Sequence, residues 1–347
     1  MKPKIYNFFD QAIEMGASDL TLKPGAPPTF RLNRHLIISE EDALAPQEMY
    51  DLFLPIIDAK RQVSLRNIFE AYSMFPYKRK ARIRFYLYQQ REGYAGSFRF
   101  IPVKTPTFRE LGLPEELEAQ ACKPRGLFLV TGPSGCGKSH TMAAMINSIN
   151  QKYARHIITM ENPIEFIYSR VQSIFTQIEV GTMIGTYQEA LTNALREDPD
   201  VMMIGEMRDQ KTVEMALVAS ETGHFVVTTL PTLGAAATIE RIVSFFPAEK
   251  HEEVRLQISI NLIGIFSQLL IPKISPEHPS SVAYELLIAN SAIRTLIRDK
   301  KYAQLQSAMF MAKREGCVTL KDSLSKLLRD EMTNSELVKE MLQEIVE

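Results

Sequence analysis

The run Gly132-Pro133-Ser134-Gly135-Cys136-Gly137-Lys138-Ser139 fits the phosphate-binding pattern G-x-x-x-x-G-K-[ST] at every fixed position. A polyphosphate brings several negative charges that a protein must match. Glycines let successive backbone N–H groups turn inward and approach the phosphates with no Cβ in the way. A helix starting at the end of the loop adds its unpaired N-terminal donors and the positive end of its dipole. Lys138 is then expected to reach the β- and γ-phosphates, and the Ser139 hydroxyl to ligate Mg²⁺. His140, next in the chain, is grouped with the loop as a nucleotide-binding residue. The expected ligands are ATP and Mg²⁺.

Transfer of a γ-phosphate to water needs a held metal, an aligned water and stabilisation of developing charge. The apolar run Val201-Met202-Met203-Ile204 leads into Gly205-Glu206, so Glu206 falls at the carboxyl end of a strand. In an α/β sheet that is the edge where phosphates bind. Glu206 is therefore a candidate to hold a Mg²⁺-bound water or orient the attacking one; a solvated glutamate at a strand end is the competing reading. Glu161-Asn162-Pro163-Ile164-Glu165 also follows a strand, with Glu165, ahead of Glu161, as candidate base. Read alone, that segment is better taken as an ordinary surface loop. His224 stands immediately before another strand, either as a hydrogen-bonded structural residue or as a γ-phosphate sensor. In the basic run from Lys78 to Arg84, Arg82 and Arg84 alternate onto one side of a strand; with Arg99 they are candidates to face an anion. A solvated charged face is the plainer alternative.

These side chains need a scaffold. Leu127-Phe128-Leu129-Val130-Thr131 before the loop suits a buried strand, and Met142, Met145, Ile146 and Ile149 after it recur on one helical face. Strands at 156–160, 201–205 and 225–230, separated by helical segments, predict a parallel sheet covered on both faces. Upstream, a helix over 4–15, strands at 20–22, 29–32 and 35–38, a helix from Pro46 to about Ile57 and strands at 69–75, 81–88 and 94–101 describe a small α+β domain. The division expected is 1–102, a proline-restricted linker at 103–113, an ATPase core at 114–272 and a helical part at 273–347. In that last part Ser291 is the expected helix cap, Leu320, Leu324, Leu327 and Leu328 mark a further helix, and Thr333-x-x-Glu336 opens one bearing Leu337, Met341 and Ile345.

At 347 residues, two domains are the natural expectation, and a net charge of −1 gives no support to a nucleic-acid partner. No run approaches the ~20 apolar residues of a membrane span. The first residues lack the apolar core of a signal peptide. Cys122, Cys136 and Cys317 are odd in number and far apart, which fits neither a disulfide framework nor a zinc site and points to a reducing cytoplasm.

Taken together, the blocks resemble the PilT-like retraction ATPases of type IV pili, within the wider secretion-ATPase family. The similarity runs through Ala17-Ser18-Asp19-Leu20 with Pro27-Pro28, Lys123-Pro124-Arg125-Gly126-Leu127, and Thr159 to Phe166, which looks like the family's Asp box. It continues through Ala194 to Asp200 with Gly205-Glu206-Met207-Arg208-Asp209, a Walker B region, and Glu221 to Thr232, a His box. The resemblance implies a PAS-like α+β N-terminal domain, a RecA-like P-loop ATPase domain with C-terminal helices, and a homo-hexameric ring. It implies that Arg82, Arg84 and Arg99 close over the phosphates, that Glu165 is the catalytic base, Glu206 the Walker B glutamate and His224 a contact near the γ-phosphate. An inner-membrane pilus platform protein and a second retraction ATPase are the implied partners, and a cytoplasmic location at the pilus machinery is implied with them. Ala292-Ile293-Arg294-Thr295-Leu296-Ile297-Arg298-Asp299 looks like the signature of retraction motors and favours retraction over assembly or secretion.

Three positions depart from the family pattern. Asn162 stands where the Asp box has Asp, Pro231 where the His box has its second His, and Thr21 where a His is usual. Pro231 has neither an ionisable group nor an N–H. The departures imply weakened or partner-dependent hydrolysis, as in an accessory PilU-like paralogue. The competing readings are a non-hydrolysing ATP-binding scaffold or regulatory subunit and an assembly or type II secretion ATPase.

Overall fold

The computed structural model describes residues 3–32, 35–57, 70–78, 80–272 and 280–330, together with Thr333, Glu336 and Val338. The chain divides into two compact units, Met1–Lys104 and Thr105–Glu347. Among the described residues no helix is long and apolar enough to cross a membrane.

In the first unit, helix α1 (Lys4–Met15) buries Ile5, Phe8, Phe9 and Ala12 on one face and stops at Gly16, whose φ of 69° only glycine adopts without strain. Strands β1 (Asp19–Leu22), β2 (Thr29–Leu32), β3 (His35–Ile38), β4 (Glu70–Tyr77), β5 (Ala81–Gln90) and β6 (Gly93–Pro102) form one sheet in the order β3-β2-β1-β6-β5-β4. Phe69, the expected first residue of β4, lies outside the described residues. The predicted helix from Pro46 is a short α2 (Met49–Phe53) flanked by 3-10 turns. Alternation along β5 sends Ile83, Phe85 and Leu87 into an aromatic core with Phe9 and Phe98, and sends Arg82 and Arg84 to the opposite face.

The second unit begins earlier than the predicted linker allows. Thr107 and Glu110 form a reciprocal cap on α3 (Phe108–Leu111), and α4 (Glu115–Ala121) follows. Phe108, Leu113, Leu117 and Ala121 pack into the same core as α5 (Lys138–Lys152), so residues 105–113 are packed structure and not a free extended segment. Pro106 restricts the backbone there, but the apolar side chains after it decide where it goes.

Strands β7 (Gly126–Thr131), β8 (His156–Glu161), β9 (Ile174–Glu179), β10 (Val201–Ile204), β11 (Phe225–Leu230), β12 (Leu262–Pro272) and β13 (Ser280–Ile288) make the second sheet, ordered β13-β12-β7-β11-β10-β8-β9. Only the β12–β13 pairing is antiparallel among the described residues. Every residue of β7, β10 and β11 is buried, as a parallel strand covered on both sides requires. Helices α6 (Tyr187–Ala194), α7 (Gln210–Glu221), α8 (Ala235–Ser244) and α9 (His251–Asn261) cover it, with α10 (Ser291–Arg298), α11 (Leu305–Met311) and α12 (Leu320–Arg329) after β13. The segment beyond Pro272 is thus not mostly helical from its start: β13 returns along β12 before the helices begin. Asn290, not Ser291, caps α10, its side chain accepting from Ile293 N at 2.9 Å. Of the predicted helix after Thr333, Glu336 and Val338 are helical and Val338 is buried, while Leu337, Met341 and Ile345 lie outside the described residues.

Candidate nucleotide-binding site

The phosphate loop joins the carboxyl end of β7 to α5, and three of its glycines have positive φ: Gly132 (138°), Gly135 (76°) and Gly137 (93°). At Gly132 a Cβ would lie 2.3 Å from the Gln268 carbonyl oxygen and 2.7 Å from Cys136 Sγ, so no other residue fits. Lys138 folds back along the loop and donates to the carbonyls of Gly132 at 2.7 Å and Pro133 at 3.0 Å. Lys138, Ser139 and His140 are half-buried, whereas Pro133, Ser134 and Gly135 are exposed. A charged ammonium, a hydroxyl and unpaired helix-start N–H groups therefore lie together at the start of α5, which is the chemistry a polyphosphate needs.

The acidic strand ends meet the same edge. Gly205 N donates to Met160 O at 2.8 Å and Thr229 Oγ1 donates to Gly205 O at 2.7 Å, knitting the ends of β8, β10 and β11 together. Glu161, buried, accepts from Thr159 Oγ1 at 2.9 Å and from the Glu165 N–H at 3.2 Å. Glu161 thus shapes the turn, and Glu165, half-buried, is the carboxylate it presents. Glu165 stands close enough to His140 to act on its charge: burial pushes the His140 pKa down while Glu165 pulls it up. The His140 ring also meets Phe166 edge-on at 5.1 Å. Glu206 pairs with Arg208 and is half-buried. Burial, then the charge of Glu206, pushes Tyr187 up to about 12. Ser139 and Glu206 offer the hard oxygen donors that suit Mg²⁺.

His224 is a correction. It precedes β11, and its carbonyl accepts from Gly126 N, the first residue of β7, at 2.9 Å. Since β7 and β11 run parallel, His224 lies at the edge where the strands start, while the phosphate loop leaves from the other. Its Nδ1 bonds Ala219 O at 2.9 Å and Thr222 Oγ1 at 3.1 Å, so the structural reading of this histidine stands and contact with the loop of its own chain does not. Pro231, following Leu230 (which pairs with Thr131), is the His-box position at the phosphate edge.

Arg82, Arg84 and Arg99 belong to the first unit and share one face of its sheet. Arg84 and Arg99 are directly opposed across β5 and β6, an arrangement that is unfavourable without an anion nearby. Asp19 partly supplies it, accepting from Arg99 Nε at 2.9 Å.

Sequence reasoning missed a set of buried polar residues on β12 and β13. Gln268 Nε2 donates to Cys136 O and its Oε1 accepts from Thr141, both at 2.6 Å. Ser267 accepts from Gly234 N at 2.8 Å, and Glu285 accepts from Ala235 N at 2.7 Å, fixing the loop after β11 and the start of α8. A glutamine, a serine and a glutamate inside otherwise apolar strands were the available signal. The retraction-type signature also turns inward. Ile293 and Ile297 are fully buried, and Arg294 donates to Ser259, Ile260 and Leu262 carbonyls, closing the end of α9.

A parallel sheet with a glycine loop feeding a helix, and carboxylates at the neighbouring strand ends, defines a P-loop nucleotide-binding domain. Residues 104–346 match the family described as Type II/IV secretion system protein, and the chain belongs to that family. It is 39% identical over 327 residues to the type IV pilus retractation ATPase PilT of Pseudomonas aeruginosa, covering 94% of each chain. With the type IV pilus ATPase PilU of the same organism it shares 33% identity, over 91% of this chain and 82% of that one. The crystal structure of the pilus retraction motor PilT with bound ADP superposes with a TM-score of 0.87 at 41% identity, covering 97% of this chain and 96% of that one. The expected resemblance to PilT-like ATPases is borne out along nearly the whole length, and with it the α/β fold class.

Proposed function

We propose that this chain is the subunit of a homo-hexameric motor that binds and hydrolyses ATP to drive type IV pilus retraction. The observation that carries the reading is the convergence of the phosphate loop, the Glu161–Glu165 turn and Glu206 on one sheet edge. The loop N–H groups and Lys138 hold the β- and γ-phosphates. Ser139 and Glu206 hold Mg²⁺, which when bound neutralises phosphate oxygens. Glu165, fixed at its backbone by Glu161, accepts the proton of the attacking water. Arg82, Arg84 and Arg99 supply positive charge to the γ-phosphate in the assembled ring, where their mutual repulsion is relieved. The ring works in the cytoplasm against an inner-membrane platform protein of the pilus machinery.

Changing Glu206 to Gln is the test. A motor loses turnover by about 10²-fold or more while still binding nucleotide, and twitching stops. Unchanged twitching with unchanged nucleotide binding would show a scaffold instead.

A second reading, an accessory subunit with weak turnover of its own, is favoured by Pro231 and Asn162, which remove a titratable group and a charge from the phosphate edge. Turnover measured alone and mixed with an intact retraction ATPase separates the two. Stimulation confined to the mixture supports the accessory role.

A further inference from the structure

We propose that Gln268 is a positioning residue for nucleotide binding: its buried carboxamide holds the phosphate loop in the conformation that faces N–H groups, and not a carbonyl, toward the ligand. The inference rests on the nucleotide-binding reading above and adds to it a residue outside the motif.

Gln268 is 1% exposed and comes from β12, far along the chain from the loop it touches. Its Nε2 donates to the Cys136 carbonyl and its Oε1 accepts from the Thr141 hydroxyl, at 2.6 Å each. The orientation of the amide follows from these partners. Turned over, its oxygen would oppose the Cys136 carbonyl oxygen, acceptor against acceptor. A peptide plane is rigid and trans, so its C=O and N–H point opposite ways. Holding the Cys136 carbonyl inward, against buried Gln268, therefore aims the Gly137 N–H outward. Left unheld, that plane is free to rotate, because Gly137, at a φ of 93°, carries no Cβ to restrict it. Rotation would turn a carbonyl oxygen toward an anionic ligand.

The rest of the residue guards the same loop. The backbone oxygen of Gln268 occupies the space a Cβ on Gly132 would need, and Nε2 lies 3.2 Å from where a Cβ on Gly137 would sit. One residue thus touches the first and last glycines of the loop, the carbonyl between them and the first turn of α5. Thr141 locks the amide from the helix side, so the helix start and the loop are set as a unit.

The test is titration of the full-length protein with a fluorescent ADP analogue. Q268M keeps the volume and removes both hydrogen bonds; Q268E keeps the acceptor and removes the donor. Both are expected to weaken binding by about tenfold or more while the near-ultraviolet signal of the folded chain persists. Binding lost in T141V is expected to return in T141S, which restores the hydroxyl, and Q268M/T141V should bind no more weakly than Q268M because the bonds form one network. Folded Q268M with affinity within about twofold of wild type overturns the proposal. Should Q268M not fold, equal affinities of T141V and T141S overturn it equally. A wild-type chain that binds no ADP sinks the nucleotide reading itself, which is a different result from tight wild-type binding indifferent to residue 268.

Discussion

The two edges of the seven-stranded sheet are built from similar residues put to opposite use. Where the parallel strands start, polar side chains tie the segments that enter the strands to one another and to the preceding helix. His224 bonds Ala219 and Thr222, His156 Nδ1 meets Glu197 O at 3.1 Å, and Asp200 accepts from His156 N at 2.8 Å. Where they end, buried polar groups brace the loops that leave the strands. Gln268 holds the phosphate loop, Ser267 and Glu285 hold the segment after β11, and Glu161 holds the turn carrying Glu165. The motif side chains at that edge, Lys138, Ser139, Glu165 and Glu206, are left half-buried. An edge becomes a site when buried residues behind it brace its loops and its motif side chains stay half-buried.

The contrast can be broken most sharply at Lys138. Its ammonium meets two backbone carbonyls of an open loop, so Lys138→Ala should cut ATP turnover by about 10²- to 10³-fold. Thermal unfolding of that variant should barely move. Glu285 sharpens the comparison from the bracing side. Glu285→Leu orphans the Ala235 N–H and should destabilise by about 1–3 kcal/mol in denaturant unfolding. Glu285→Gln keeps the acceptor and should be at least as stable as wild type at neutral pH. Burial holds the folded Glu285 pKa above its ordinary 4.5, so its contribution to stability is present below that value and lost as pH rises through the folded pKa. Glu285→Gln should remove that dependence.

At the opposite edge, His224→Ala should leave ATP turnover within about twofold and lower stability by about 1 kcal/mol, the worth of one ordinary hydrogen bond. A large loss of turnover with an intact fold would mean that this edge takes part in chemistry after all. The smallest effect concerns His140, whose folded pKa burial holds below its ordinary 6.5. The folded state resists the proton, so stability should decline as pH falls below 6.5 and through the folded pKa. Urea midpoints at successive pH values, compared with those of His140→Gln, would show a flatter profile in the variant.

The phosphate loop was legible because everything it needs is local: glycines, lysine, serine, and a strand and helix on either side. The side of the sheet on which each candidate falls was legible too, although it is easily passed over. Glu206 follows its strand and His224 precedes its own, which in a parallel sheet sends them to opposite edges. The strands β12 and β13 were not legible, since an apolar run such as Leu262–Pro272 has no period that separates a buried strand from a buried helix. With β12 unseen, the bracing role of Gln268 had nothing to attach to. The segment at 103–113 shows the reverse failure. Pro106, with Pro102 just before the segment, announces an extended backbone, while Phe108 and Leu113, through burial, decide that it packs.

The order of strands has a consequence for how the protein is made. β7 lies between β11 and β12, so the loop at its end stays unfinished until residues 262–272 have been delivered. A nascent chain halted before them exposes a wholly apolar strand edge, the kind of surface that other chains pair with. The phosphate loop, encoded before the middle of the chain, is therefore completed only in the last third of translation.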